Sequence, residues 1–136
     1  MTKKIFTSKG VWNNGLLIVR VLTSIMLIQH GKELVDSKKM HDLITFLADF
    51  KIPSVFAYIA KVTECLGSIL LFLGLFTRII IPPLIIAMSV VIWTMNAGNI
   101  FDGDLPFLYI LLFLVFFFIG PGKWSLDYVL FDKKSN

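Results

Sequence analysis

Four long apolar stretches, parted by short segments that hold most of the charge, constrain this chain more than any other feature. A bilayer core of about 30 Å needs roughly 20 mostly apolar helical residues to cross it. The stretches run from about Val11 to Gly31, Pro53 to Phe76, Ile80 to Asn96 and Leu105 to Ile119. Pro53 suits a first helical turn, Pro82 and Pro83 fall in the opening turn of the third stretch, and Asp104 stands as N-cap to the fourth with Pro106 just inside. Gly120-Pro121-Gly122 stops that last stretch. A soluble domain carries about 25% charged residues; here 16% of 136 residues are charged, 57% are hydrophobic and 13 are Phe. A cytosolic enzyme and a disordered chain are both excluded. The expected fold is an all-α membrane protein, a four-transmembrane-helix bundle forming one domain over residues 1–136.

Charge placement sets an expected orientation. Lys3, Lys4 and Lys9 imitate the start of a signal peptide, but Arg20 interrupts the apolar run and no small-x-small cleavage site follows, so a retained helix is expected. With four spans both termini share a side. That side holds seven basic residues, the three amino-terminal lysines with Arg78, Lys123, Lys133 and Lys134, against four (Lys32, Lys38, Lys39 and Lys51) on the other. The positive-inside rule then puts both termini in the cytoplasm. The net charge of +4 is accounted for by these flanks, which meet anionic lipid rather than nucleic acid. Between the first two spans, Met40, Leu43, Ile44, Leu47 and Phe50 recur at helical spacing, which predicts a short amphipathic interfacial helix. Ser125 is placed to cap another short helix carrying Leu126, Val129 and Leu130. Cys65 is the only cysteine, so the chain has no dithiol relay of its own.

The chemically informative residues are polar ones inside the apolar stretches. A charge at the centre of a spanning helix costs about 2.5–3.5 kcal/mol on insertion scales, so such groups face the bundle interior and pair. Arg20 in the first span and Glu64 in the second fall at compatible depths and are expected partners, with Lys61 close by. Ala60, Glu64, Gly67, Leu71 and Gly74 alternate steps of four and three, and the small residues Ala60, Gly67 and Gly74 form a helix-packing seam. Arg20, Thr23, Leu27 and His30 make one stripe on the first span. Ser89, Trp93 and Asn96 share a face of the third and are expected to join the same polar interior. Such a site serves a ligand or protons; equally, an Arg–Glu pair can do no more than fix helix register. His30 has a plain alternative as a helix-end hydrogen bonder, and with only two histidines a bis-His haem is disfavoured. No metal-ligand spacing, Walker loop, dinucleotide fingerprint or hydrolase triad is present.

Arg20, the His30-Gly31-Lys32 string, Pro53, Glu64, Gly67, the turn Leu73-Gly74-Leu75-Phe76-Thr77-Arg78 and the closing Gly120-Pro121-Gly122-Lys123-Trp124-Ser125-Leu126-Asp127 together resemble the DoxX family of small four-span bacterial membrane proteins. The resemblance covers about residues 15 to 130. It implies a quinone-linked or redox-stress-related membrane subunit, similar to a subunit of a thiosulfate:quinone oxidoreductase. It also implies quinone as a bound but not covalent cofactor and a soluble or peripheral redox partner. Where the family pattern has a histidine toward the end of the third helix and a glutamate before the fourth, this chain has Asn96 and Asp104, so no imidazole relay is carried over there. Two other readings of the residues stay open: a non-enzymatic scaffold or assembly protein with a structural ion pair, and a small-solute transporter. A homodimer is a further expectation, since a thin four-helix interior leaves the small-residue seam open to use between subunits.

Overall fold

The computed structural model describes residues 8–95, 99 and 104–132. Its regular elements are helices: α1 (Ser8–Gly31), α2 (Ser37–Asp49), α3 (Ser54–Leu73), α4 (Thr77–Met95) and α5 (Asp104–Ile119). A 3-10 turn (Lys32–Leu34) links α1 to α2, and a π-helical turn (Tyr128–Asp132) follows α5. Among the described residues, three helical segments are long and apolar enough to cross a membrane: Asn14–Leu34, Ser54–Leu73 and Thr77–Thr94; α5 is a shorter apolar helix.

Local chemistry explains the boundaries. The Asp36 carboxylate accepts from the amides of Lys38 and Lys39 and starts α2. Helix α3 begins after Pro53 and stops at Gly74, whose φ of +67° is left-handed; the Gly74 amide donates to Leu71 and the Leu75 amide to Leu70. The third apolar helix starts at Thr77, three residues before the position its composition suggests, so Pro82 and Pro83 lie in its second turn. The cause is a distant cap: the Asp127 carboxylate accepts from the amides of Phe76 (2.7 Å) and Thr77 (3.0 Å). Asp127→Ala removes that cap, and an expected loss of about 1 kcal/mol is read as a lower Tm in detergent; an unchanged Tm would mean the cap is dispensable.

Helix α1 packs on α3, α3 on α4, α4 on α5, and α2 lies against α3. Leu27, Leu71, Ile81, Leu84, Phe113 and Phe116 are fully buried, while Ile18, Leu22, Phe56, Ile69, Ile86 and Phe118 belong to an exposed apolar exterior. The seam on α3 is used within the chain at two of its three small positions. A Cβ on Gly67 would meet Leu84 of α4 at 2.8 Å, and one on Gly74 would meet Ser125 at 2.6 Å. After α5 the chain folds back beneath the bundle. The Asp127 amide donates to the Gly74 carbonyl and Ser125 Oγ accepts from the Tyr128 amide.

Candidate functional site

The two charged residues expected to meet do not pair. Arg20, 1% exposed, donates through Nη1 to the Pro121 carbonyl and through Nη2 to the Trp124 carbonyl at 2.7 Å. Glu64 instead accepts from Lys61 Nζ at 3.0 Å. Helix geometry accounts for the difference. Helical side chains lean toward their own N-terminus, and α1 and α3 run antiparallel, so Arg20 and Glu64 lean toward opposite ends of the bundle. The register adds to the separation. Gly31 lies against Cys65 and the Arg20 guanidinium lies against Gly74, roughly 15 Å along α3 from Glu64 at 1.5 Å per residue.

The interior therefore holds two separate polar clusters. Around Arg20, the guanidinium ties the carboxy-terminal segment to α1 and packs against Gly74 of the α3–α4 turn. The hydroxyls between the clusters bond their own helices: Thr23 donates to Val19, Ser24 to Arg20 and Ser68 to Cys65. Ser89 and Trp93 are exposed and do not join the interior; the inward face of α4 is Ile81, Leu84, Ala87, Met88 and Ile92. Asn96 lies outside the described residues.

The second cluster is the candidate site. Lys61 bridges two carboxylates, Glu64 Oε2 at 3.0 Å and Glu33 Oε2 at 2.8 Å. The Glu64 side chain is 4% exposed and that of Glu33 31%, so the cluster runs from the surface into the bundle. Lys39 stands at its outer edge, 4.0 Å from Glu33. These groups open on a cavity of about 360 Å³ between α2, α3, α4 and α5. His30, Thr94 and Tyr109 add polar atoms to its wall, and Ala60, Leu47, Met88 and Val91 are among its apolar lining. The Tyr109 ring packs edge-on to His30, with centroids 6.1 Å apart, and stacks on Phe113. Its hydroxyl is buried with no hydrogen-bond partner among the described residues. Val90 and Leu105 line the cavity and are also exposed on the apolar exterior, so the cavity reaches that side between α4 and α5. Among the described residues, no group of three or more His, Cys, Asp or Glu is gathered as metal ligands would be.

Glu33 and Tyr109 were not singled out from the sequence. Glu33 follows His30 by one turn, and Tyr109 is the one hydroxyl-bearing side chain in the α5 sequence; both signals were available. Compared with known families, residues 15–97 match the DoxX family model. The chain belongs to the DoxX family. Among DoxX-like relatives, it is 32% identical over 124 residues to a Bacillus subtilis (strain 168) protein whose name, oxidoreductase CatD, is itself provisional; the match covers 90% of this chain and 91% of that one. It is 34% identical over 127 residues to an uncharacterized protein of Haemophilus influenzae, covering 87% of this chain and 92% of the relative. No solved structure gives a significant match. DoxX membership and the apolar helices together make this a multi-pass membrane protein.

Proposed function

We propose that this DoxX-family chain crosses the bacterial inner membrane four times with both termini cytoplasmic. In this reading its cavity binds the ring of a quinone, as the membrane subunit of a redox system. The fourth crossing is supported by α5, whose 16 residues extend about 24 Å and whose packing against α4 continues the bundle. Helix α2 suits an interfacial position, with Met40 and Leu47 turned inward and Lys38, Lys39 and Asp42 outward. The provisional oxidoreductase name of the Bacillus subtilis relative points the same way.

One observation carries the ligand reading: the unpartnered Tyr109 hydroxyl in the same cavity as the Lys61 cluster. A buried hydroxyl left without an acceptor costs about 1–3 kcal/mol, and a ring carbonyl is an acceptor that fits beside apolar walls. Lys61 has three N–H bonds, two of them directed to carboxylates, and the third is available to a second carbonyl. A bound quinone supplies the capacity to take up two electrons and two protons. Tyr109 and Lys61 orient the ring, Glu64 holds the Lys61 ammonium in place, and Glu33 links that ammonium to the aqueous edge. The electrons come from a soluble or peripheral partner.

The test is a titration of the purified protein in detergent with a short-tailed quinone, followed by calorimetry. Saturable binding is expected, and Tyr109→Phe is expected to weaken it about fivefold to tenfold without lowering the ligand-free Tm. No saturable binding, or equal affinity in Tyr109→Phe, overturns the reading. The mutual satisfaction of Lys61, Glu33 and Glu64 favours a second reading, a scaffold whose ion cluster only holds the helices in register. It predicts a lower Tm for Glu64→Gln with no cellular phenotype beyond that of lost protein.

A further inference from the structure

The opposite end of the bundle carries a second cavity that the quinone reading does not use. It is a groove of about 720 Å³ between the start of α4 and the segment after α5, and Arg78 and Lys123 line it. Arg78 Nη2 lies over the Gly120-Pro121-Gly122 corner, 3.6 Å from where a Gly120 Cβ would stand. Both cations are exposed, and neither is in an ion pair with a described residue. Asp127, the one acid among the described residues lining the groove, has its two oxygens on the Phe76 and Thr77 amides. The groove therefore offers two cations with no ion-pair partner among the described residues, against a single described carboxylate already engaged by backbone amides. Beside them, Ile79 (71% exposed) and Phe131 (57% exposed) form an apolar lip, at the level where the Thr77–Thr94 span begins.

A surface that is basic on one side and apolar on the other, at the end of a membrane helix, has the chemistry of a phospholipid rather than of a soluble metabolite. We propose that this groove is a binding site for an anionic phospholipid, with Arg78 and Lys123 on the headgroup phosphate and Ile79 and Phe131 against the first part of an acyl chain. The site pins the α3–α4 turn and the carboxy-terminal segment to one lipid. It rests on the membrane assignment alone and is independent of the quinone reading.

The experiment is native mass spectrometry of the full chain, with thermal unfolding in detergent, titrated with phosphatidylglycerol, phosphatidylcholine or inorganic phosphate. Phosphatidylglycerol is expected to stay bound and to raise the Tm, with phosphatidylcholine and inorganic phosphate doing neither. One basic residue near an anionic headgroup contributes about fivefold, so Arg78→Gln with Lys123→Gln is expected to weaken phosphatidylglycerol about thirtyfold. Both side chains are exposed, and the lipid-free Tm of that variant reports directly on whether it is folded. The charge-retaining pair Arg78→Lys with Lys123→Arg keeps the lipid preference and covers the case of a misfolded neutral variant. Lys38→Gln with Lys51→Asn, at the other end of the bundle, is expected to leave the preference unchanged. Equal binding of the two lipids, stabilisation by inorganic phosphate alone, or an equal loss from the Lys38 and Lys51 changes overturns the proposal.

Discussion

Arg20→Leu is expected to lower stability by about 3 kcal/mol or more, which is a fall in Tm of roughly 10 °C for a chain of this size. The side chain is almost wholly buried and donates two charge-assisted hydrogen bonds, to the carbonyls of Pro121 and Trp124. Bonds of that kind contribute about 1.5–3 kcal/mol each, and leucine makes neither. The loss falls on one place, because these bonds fasten the segment after α5 to α1. Trypsin cleavage after the exposed Lys123 should therefore accelerate together with the fall in Tm. Arg20→Lys should recover only part of the loss, since one ammonium cannot present the planar fork that reaches two carbonyls. Gly74→Ala should act in the same direction: its φ of +67° suits glycine, and the added Cβ would lie 2.8 Å from Arg20 Nη1. A Tm for Arg20→Leu within about 2 °C of the parent, with tryptic cleavage unchanged, would show that the guanidinium does not hold this end together.

The helices were legible because apolar length and helix-breaking residues act locally. The sequence-based limits for the second span, Pro53 to Phe76, and for the fourth, Leu105 to Ile119, differ from α3 and α5 by no more than three residues at any end. The early start of α4 was not legible, because its cap is Asp127, far along the chain. Candidate site residues divide along the same line. That Glu64 and Lys61 sit in the interior follows from the cost of exposing charge to lipid, and both are buried. Their partners depend on the register between α1 and α3 and on the lean of each side chain, neither of which periodicity contains. Matching the helix ends from Val11 and Phe76 placed Arg20 beside Glu64. The contact of Gly31 with Cys65 shifts α1 along α3 and brings Arg20 to the carboxy-terminal segment instead. Trp93 illustrates a different limit: an aromatic on an apolar helix can face lipid as readily as core, and here it is 59% exposed.

The Lys61 cluster allows structural and ligand roles to be separated by measurement. Lys61→Met removes the ammonium and leaves Glu64, 3% exposed, as a buried carboxylate without its counter-ion. Breaking a buried pair from one side costs about 3–5 kcal/mol, whereas replacing both partners with apolar residues is often close to neutral. Lys61→Met with Glu64→Met is thus expected to recover most of the stability that Lys61→Met loses. The resulting coupling in a double-mutant cycle should exceed about 1.5 kcal/mol. Glu33→Gln should cost far less, because its side chain is 31% exposed and water can take over from the lost charge. If the cluster only fixes helix register, the double variant behaves as the parent in every assay. If it serves the cavity, the double variant stays folded and loses quinone binding, because the donor that faces the ligand is gone. Additive losses in the cycle would mean that Lys61 and Glu64 do not interact, and both roles would fall together.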